Sequence, residues 1–175
     1  IKSVSNLIRF SKKNKVKRII NLSTVNVYGK VTKKILTEKN EFNNPDIVGL
    51  TKYFGEQLLE NYFPKFFNLR LPGILCIKNT KKYPIISRFI EDLKKNKLIN
   101  VVNKNALFNN VTDTFEISKI IQKIILIDKK LKSETINVCA NRPIKLHKVI
   151  SLLSKKINSK SKIKYHTKKN YSYSI

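Results

Sequence analysis

The sequence predicts an α/β protein in which a parallel sheet carries helices on both faces. Two observations point there. Short, largely apolar runs such as Arg18–Leu22 and Phe66–Ile77 read as buried strands rather than half-exposed ones. Between such runs lie segments with apolar residues at helical spacing, giving a helix–turn–strand alternation.

Val4, Leu7, Ile8 and Phe10 place a helix over residues 3–13, with Lys12 to Lys17 as its basic exit. The strand Arg18–Leu22 ends in Ser23 and Thr24, followed by the bend Val27-Tyr28-Gly29. Residues 30–44 are polar and aperiodic and read as a surface loop, closed by Asn43-Asn44-Pro45-Asp46 at a helix start. The helix over 47–62 sets Val48, Thr51, Lys52, Gly55, Leu58 and Leu59 along one side. Gly55 costs about 1 kcal/mol relative to Ala in mid-helix, so it is assigned to close packing against the sheet. Pro64 stops this helix, and in Phe66–Ile77 the pair Pro72-Gly73 should end strand pairing near Leu71.

Further along, Tyr83–Lys97 reads as an amphipathic helix, Ile99–Val102 as a strand and Asn103–Asn110 as a loop. Glu116–Ile127 reads as an apolar helix and Thr135–Cys139 as a strand. Asn141-Arg142-Pro143 is a turn, Leu146–Ile157 a helix and Lys162–His166 a last strand. From Thr167 the tail is polar and expected to be disordered.

Thr24 stands where a parallel sheet delivers side chains to the crevice at its carboxyl edge. Its hydroxyl can serve a ligand oxygen, or it can cap a turn, as such residues commonly do. A helix carrying Lys52 can swing that ammonium over the same edge. Leu22-Ser23-Thr24-Val25-Asn26-Val27-Tyr28-Gly29, read with Lys52, resembles the extended short-chain dehydrogenase/reductase family. These are NAD(P)-dependent epimerase/dehydratases acting mostly on nucleotide sugars. Leu69-Arg70-Leu71-Pro72-Gly73, Ala106-Leu107-Phe108-Asn109-Asn110-Val111, Glu116-Ile117 and Ile136-Asn137-Val138 extend the likeness over nearly the whole chain.

The resemblance implies part of a Rossmann-like sheet and part of a small C-terminal substrate lobe. Residues 1–80 would belong to the dinucleotide-binding part, and 81–175 to substrate-lobe and returning sheet elements. It implies NAD or NADP as cofactor, a nucleotide sugar as substrate, hydride transfer as chemistry and a homodimer among the assemblies. Thr24 and Lys52 would be catalytic, with Ser23, Lys52, Leu71 and Pro72 along the cofactor. Thr24, Gly73, Arg88, Asn109 and Asn110 would face the substrate, although Arg88 on a helix face and Arg70 on a strand also read as solvated and anchoring residues.

Two departures qualify this. Val48 stands four residues before Lys52, where the family has its catalytic Tyr, whose pKa the Lys field lowers. Tyr53 lies about 100° around the helix from Lys52 and does not replace it. The glycines are Gly29, Gly49, Gly55 and Gly73, so the sequence holds no glycine-rich phosphate turn. Impaired redox catalysis follows, with a non-catalytic sugar-nucleotide or protein-binding relative as the alternative. Val25-Asn26 also replaces the acidic pair of family dehydratases, which favours an epimerase or reductase.

The formal charge of +26 invites a nucleic-acid reading. Lys outnumbers Arg 32 to 5 and is scattered through every segment, so no specific nucleic-acid partner is expected. Cys76 and Cys139 read as separate buried thiols, and His147 and His166 lack ligand neighbours at metal-site spacing. No apolar run approaches the roughly 20 residues of a membrane span. A cytoplasmic protein is expected, and the absence of Met and of terminal caps reads as a fragment.

Overall fold

The computed structural model describes residues 2–31, 35–75, 85–127 and 132–166. The first part runs α1 (Lys2–Lys13), β1 (Ile19–Thr24), a 3₁₀ turn (Val25–Tyr28), α2 (Ile47–Tyr62) and β2 (Phe66–Leu71). Then come β3 (Gly73–Leu75), α3 (Ile85–Lys94), β4 (Ile99–Val102), β5 (Leu107–Phe108), β6 (Val111–Asp113) and α4 (Thr114–Leu126). The last described elements are β7 (Glu134–Asn137), β8 (Ile144–Lys145), α5 (Leu146–Ile157) and β9 (Ile163–His166). The expected fold class is the observed one. Cys76, the first residues of the expected helix from Tyr83 and the tail from Thr167 lie outside the described residues.

The chain forms two compact units, of which the first comprises Ile1–Val31, Thr37–Pro72 and Phe115–Val138. Its sheet has the order β1-β2-β7, with both pairings parallel. All six residues of β2 are buried, as befits a strand covered on both faces. Alternation sends Phe66 into a cluster with Ile8, Ile19, Leu59 and Phe63 under α1 and α2. It sends Phe67, Leu69 and Leu71 to the opposite face, where they meet Ile117 and Ile124 of α4.

The second unit comprises Thr32–Leu36, Gly73–Thr114 and Cys139–Ile175. Its core joins Ile86, Phe89 and Leu93 of α3 to Ile99 and Val101 of β4 and to Leu146 and Ile150 of α5. Three two-stranded ladders edge it: β3 with β6, β4 with β9, and β5 with β8. The sequence reading missed β5, β6 and β8, and Asn103–Asn110 is not a plain loop. The run after Leu71 also changes partner: β2 stops before Pro72, which has no N–H to donate, and β3 pairs with β6 instead.

Helix α2 starts at Asp46, whose carboxylate accepts the Gly49 N–H at 2.7 Å. Its buried positions are Gly49, Gly55, Glu56 and Leu59, whereas Val48, Thr51 and Lys52 are exposed, so the expected single stripe divides. Gly55 does not meet the sheet: a Cβ there would lie 3.3 Å from Val4 Cγ2 of α1. The glycine that permits a close approach is Gly49, where a Cβ would lie 2.2 Å from the Asn26 carbonyl oxygen. Gly29, at φ 64°, would bring a Cβ within 2.1 Å of the Asn43 carbonyl oxygen. Elsewhere the left-handed turns are held by Lys15, Asn44, Asn96, Asn103 and Asn158.

These contacts separate the two helical glycines. Gly49→Ala should lose about 1–3 kcal/mol or more, because the clash is with backbone and cannot be relieved by a rotamer change. Gly55→Ala should stay within about 1 kcal/mol of the natural protein, since helix propensity offsets a small shift of Val4. Urea unfolding of both variants measures the difference.

Candidate functional site

At the carboxyl end of the first sheet, two polar rows cross the strands on the α2 face. Asn21, Asn68 and Thr135 are in register and linked, Asn21 Nδ2 to Asn68 Oδ1 at 2.9 Å and Asn68 Nδ2 to Thr135 Oγ1 at 3.2 Å. The next row is Ser23, Arg70 and Asn137. Polar groups buried in a sheet need partners, and Glu56 of α2 supplies them for this row. Its carboxylate accepts the Ser23 hydroxyl and pairs with Arg70, whose Nη2 lies 2.7 Å from Oε2 and whose Nε lies 3.1 Å from Oε1. Arg70 Nη1 donates to the Tyr28 hydroxyl at 2.6 Å, which in turn donates to Asn137 Oδ1 at 2.8 Å. The guanidinium also lies 4.9 Å from the Tyr28 ring centre and 5.3 Å from that of Phe42.

Burial drives the Tyr28 pKa above its ordinary value, against the opposing pull of Arg70 and Asn137; the Glu38 charge raises it further. For Arg70, burial acts downward but is outweighed by Glu56 and Tyr28, so its pKa stands above the usual value. The network is therefore a fixed cation–anion pair with a neutral phenol, suited to holding strands together.

The expected site residues sit around it. Ser23 is buried, with its hydroxyl committed to Glu56. Thr24 is half-buried and caps the 3₁₀ turn, its Oγ1 accepting the Asn26 N–H at 3.2 Å. Its own O–H has no recorded acceptor among the described residues, so it can serve a ligand oxygen as well. Lys52 is exposed and donates from Nζ to the Leu22 carbonyl at 2.7 Å, which sets an ammonium over the β1 edge. Val48, one turn earlier, is 51% exposed and offers no titratable group. Tyr53 packs against Phe42, the rings tilted by 45° with centres 4.3 Å apart, and the Tyr28 hydroxyl is already engaged. Leu71 and Pro72 are buried at the end of β2.

Gly73, Arg88, Asn109 and Asn110 belong to the second unit. Gly73 opens β3, and Arg88 is exposed on α3. Asn109 is buried, its carbonyl accepting the Ala140 N–H at 3.2 Å and its Nδ2 donating to the Ala140 carbonyl at 3.4 Å. Asn110 Oδ1 is buried without a hydrogen-bond partner. Cys139, expected to be buried, is only half-buried. Sequence reasoning missed Glu56 altogether: an acid four residues after Lys52 and next to Gln57 on a helix ordinarily reads as a solvent-facing i,i+4 partner, so nothing local marks it.

A cleft of about 1000 Å³ lies elsewhere in the first unit, lined by Val16, Ile20, Pro64, Ile125, Leu126 and Ile127. It contains none of the expected site residues. Its Arg18 donates to the carbonyls of Ile124 and Ile127 at the end of α4. Among the described residues no group of three His, Cys, Asp or Glu side chains could hold a metal ion. None of their helices is long and apolar enough to cross a membrane.

Residues 1–116 match the NAD dependent epimerase/dehydratase family. The chain belongs to this family. Solved structures of similar fold include the UDP-Glc/GlcNAc 4-epimerase of Campylobacter jejuni, at 18% identity and a TM-score of 0.75 over 97% of this chain and 58% of that one. The UDP-N-acetylglucosamine 4-epimerase of Methanobrevibacter ruminantium, solved with UDP-N-acetylmuramic acid, gives 18% and 0.77 over 99% and 57%. The UDP-glucuronic acid 4-epimerase of Bacillus cereus, solved with NAD, gives 19% and 0.74 over 94% and 54%. At these identities the likeness is one of fold, and this epimerase/dehydratase family chain spans a little over half the length of each. Comparison with curated proteins finds no match.

The buried row makes two predictions. Arg70→Met should cost about 3–5 kcal/mol by leaving Glu56 buried and unpaired, and adding Glu56→Leu should recover much of it; urea unfolding checks both. For Tyr28, the folded pKa lies above the ordinary 10.0, so past that pH the unfolded chain gives up a proton that the folded chain keeps. Stability should therefore fall as pH rises from about 10 toward the folded value. Tyr28→Phe should flatten that slope when unfolding is compared at about pH 8.5 and pH 11.

Proposed function

We propose that this chain forms part of an NAD(P)-dependent protein acting on a nucleotide sugar, with epimerase or reductase rather than dehydratase ancestry. The observation that carries the reading is the Lys52 ammonium 2.7 Å from the Leu22 carbonyl, on the strand that ends at Thr24. The three-stranded unit belongs, on this reading, to the dinucleotide-binding part, and the second unit to the substrate lobe. Ser23, Leu71 and Pro72 would border the cofactor; Gly73, Arg88, Asn109 and Asn110 would serve the sugar nucleotide.

Thr24 and Lys52 fit the nicotinamide end of such a cofactor: one offers a hydroxyl proton, the other N–H donors beyond the one given to Leu22. The diphosphate end has no counterpart, because these residues include no glycine-rich turn. When bound, the dinucleotide would accept and return the hydride. Thr24 would hydrogen-bond the reacting oxygen, and Lys52 would hold a ribose hydroxyl. Neither removes the alcohol proton, and Val48 occupies the place from which the family's Tyr does so. Redox turnover is therefore reduced or lost.

A second reading, a non-catalytic sugar-nucleotide or protein-binding relative, is favoured by Val48 and by the missing glycine turn. On either reading no specific nucleic acid or membrane is a partner, and the protein works in the cytoplasm. The exposed Leu7 and Phe10 of α1 and Phe54 and Tyr62 of α2 suit a homodimer through these helices.

Titration of the full-length protein with NAD and NADP, with and without a UDP-sugar, tests the cofactor. The natural protein should bind a dinucleotide, and Val48→Tyr should gain turnover of roughly 10²–10⁴-fold, the usual worth of a general base. Dinucleotide binding by neither form removes the cofactor reading and leaves the binding-module one.

A further inference from the structure

Three residues of α2 meet the end of β1 and the turn after it. Gly49 lies against the Asn26 carbonyl, Lys52 reaches the Leu22 carbonyl, and Glu56 binds the Ser23 hydroxyl. Their spacing of three and four residues puts them on one helical stripe, one turn apart from each other. Lys52 is the middle contact. It is the exposed and mobile one by chemistry, an ammonium on a long flexible stem, while its neighbours on the stripe are buried.

We propose that Glu56 is a positioning residue for Lys52. Its carboxylate grips β1 through Ser23 and β2 through Arg70, in the row directly beneath Thr24, and so fixes how far along β1 the helix sits. A slide of α2 by even one residue, about 1.5 Å, would carry the ammonium away from the Leu22 carbonyl. Gly49 sets the approach at one end of the stripe and Glu56 sets the register at the other. Gly49 alone supplies only contact distance, because it has no side chain with which to bind a particular strand atom. The functional meaning of this device rests on the reading of Thr24 and Lys52 as the site, but the geometry does not.

Acetylation of individual lysines, followed by mass spectrometry on the full-length protein, reads the position of Lys52 directly. Lys94, exposed at the end of α3, is the internal reference. In the natural protein Lys52 should react roughly fivefold more slowly than Lys94, the equivalent of about 1 kcal/mol of hydrogen bonding. Ser23→Ala, and the pair Glu56→Leu with Arg70→Met, should bring Lys52 to the rate of Lys94. Leu69→Ala, a core substitution at least as destabilising as either, should leave Lys52 slow, which a merely structural role for Glu56 would not allow. Lys52 as fast as Lys94 in the natural protein, or still slow in both Ser23→Ala and the double variant, overturns the proposal. A protein that binds no dinucleotide yet releases Lys52 in Ser23→Ala keeps the positioning role and loses the cofactor reading instead.

Discussion

The buried pair of Arg70 and Glu56 is the constraint on which the first unit depends. Both side chains are almost wholly removed from water, so neither charge is tolerable without the other. Arg70 is on the central strand and Glu56 on the helix that covers it, so sheet and helix are joined by an interaction with direction as well as energy. The same guanidinium reaches the phenol of Tyr28, and that phenol reaches Asn137 on the far strand. One ion pair thereby ties together β1, β2, β7, α2 and the turn that follows Thr24.

This arrangement separates two jobs that lie side by side in the chain. Ser23 is buried and holds the framework, whereas Thr24, next along the strand, is half-buried and caps the turn with its O–H still able to donate. Lys52 and Glu56 divide in the same way on α2. Rigid support directly beneath a polar edge is what a site needs if its groups are to keep their geometry as ligands come and go. The framework is closed among Glu56, Ser23, Arg70, Tyr28 and Asn137, and Val48 adds no titratable group to the edge beside it.

Much of the fold was legible in the residues, because burial on both faces writes itself into strands such as Phe66–Leu71, and helical spacing into α1, α2, α4 and α5. The strands β5, β6 and β8 were not, since two or three residues are too few to show a period. The Thr24 edge and the reach of Lys52 could be anticipated from a strand end and a helix two dozen residues apart. Glu56 could not, because a buried hydrogen bond between distant residues leaves no local pattern, and a lone acid on a helix ordinarily means solvent. Gly55 was given the wrong neighbour for a related reason: which surface a helical glycine faces is decided by the tertiary structure.

The left-handed turns of this chain show which backbone positions accept a side chain and which do not. Asparagine closes α5 at Asn158 and turns the backbone at Asn44, Asn96 and Asn103, where glycine is the commoner occupant. Such exchanges cost little, because the asparagine side chain tolerates that backbone region. Gly29 and Gly49 admit no such exchange, since each faces a carbonyl oxygen at a distance no β-carbon can occupy. In a sequence with only 4 glycines, those two mark places where one stretch of main chain lies directly upon another.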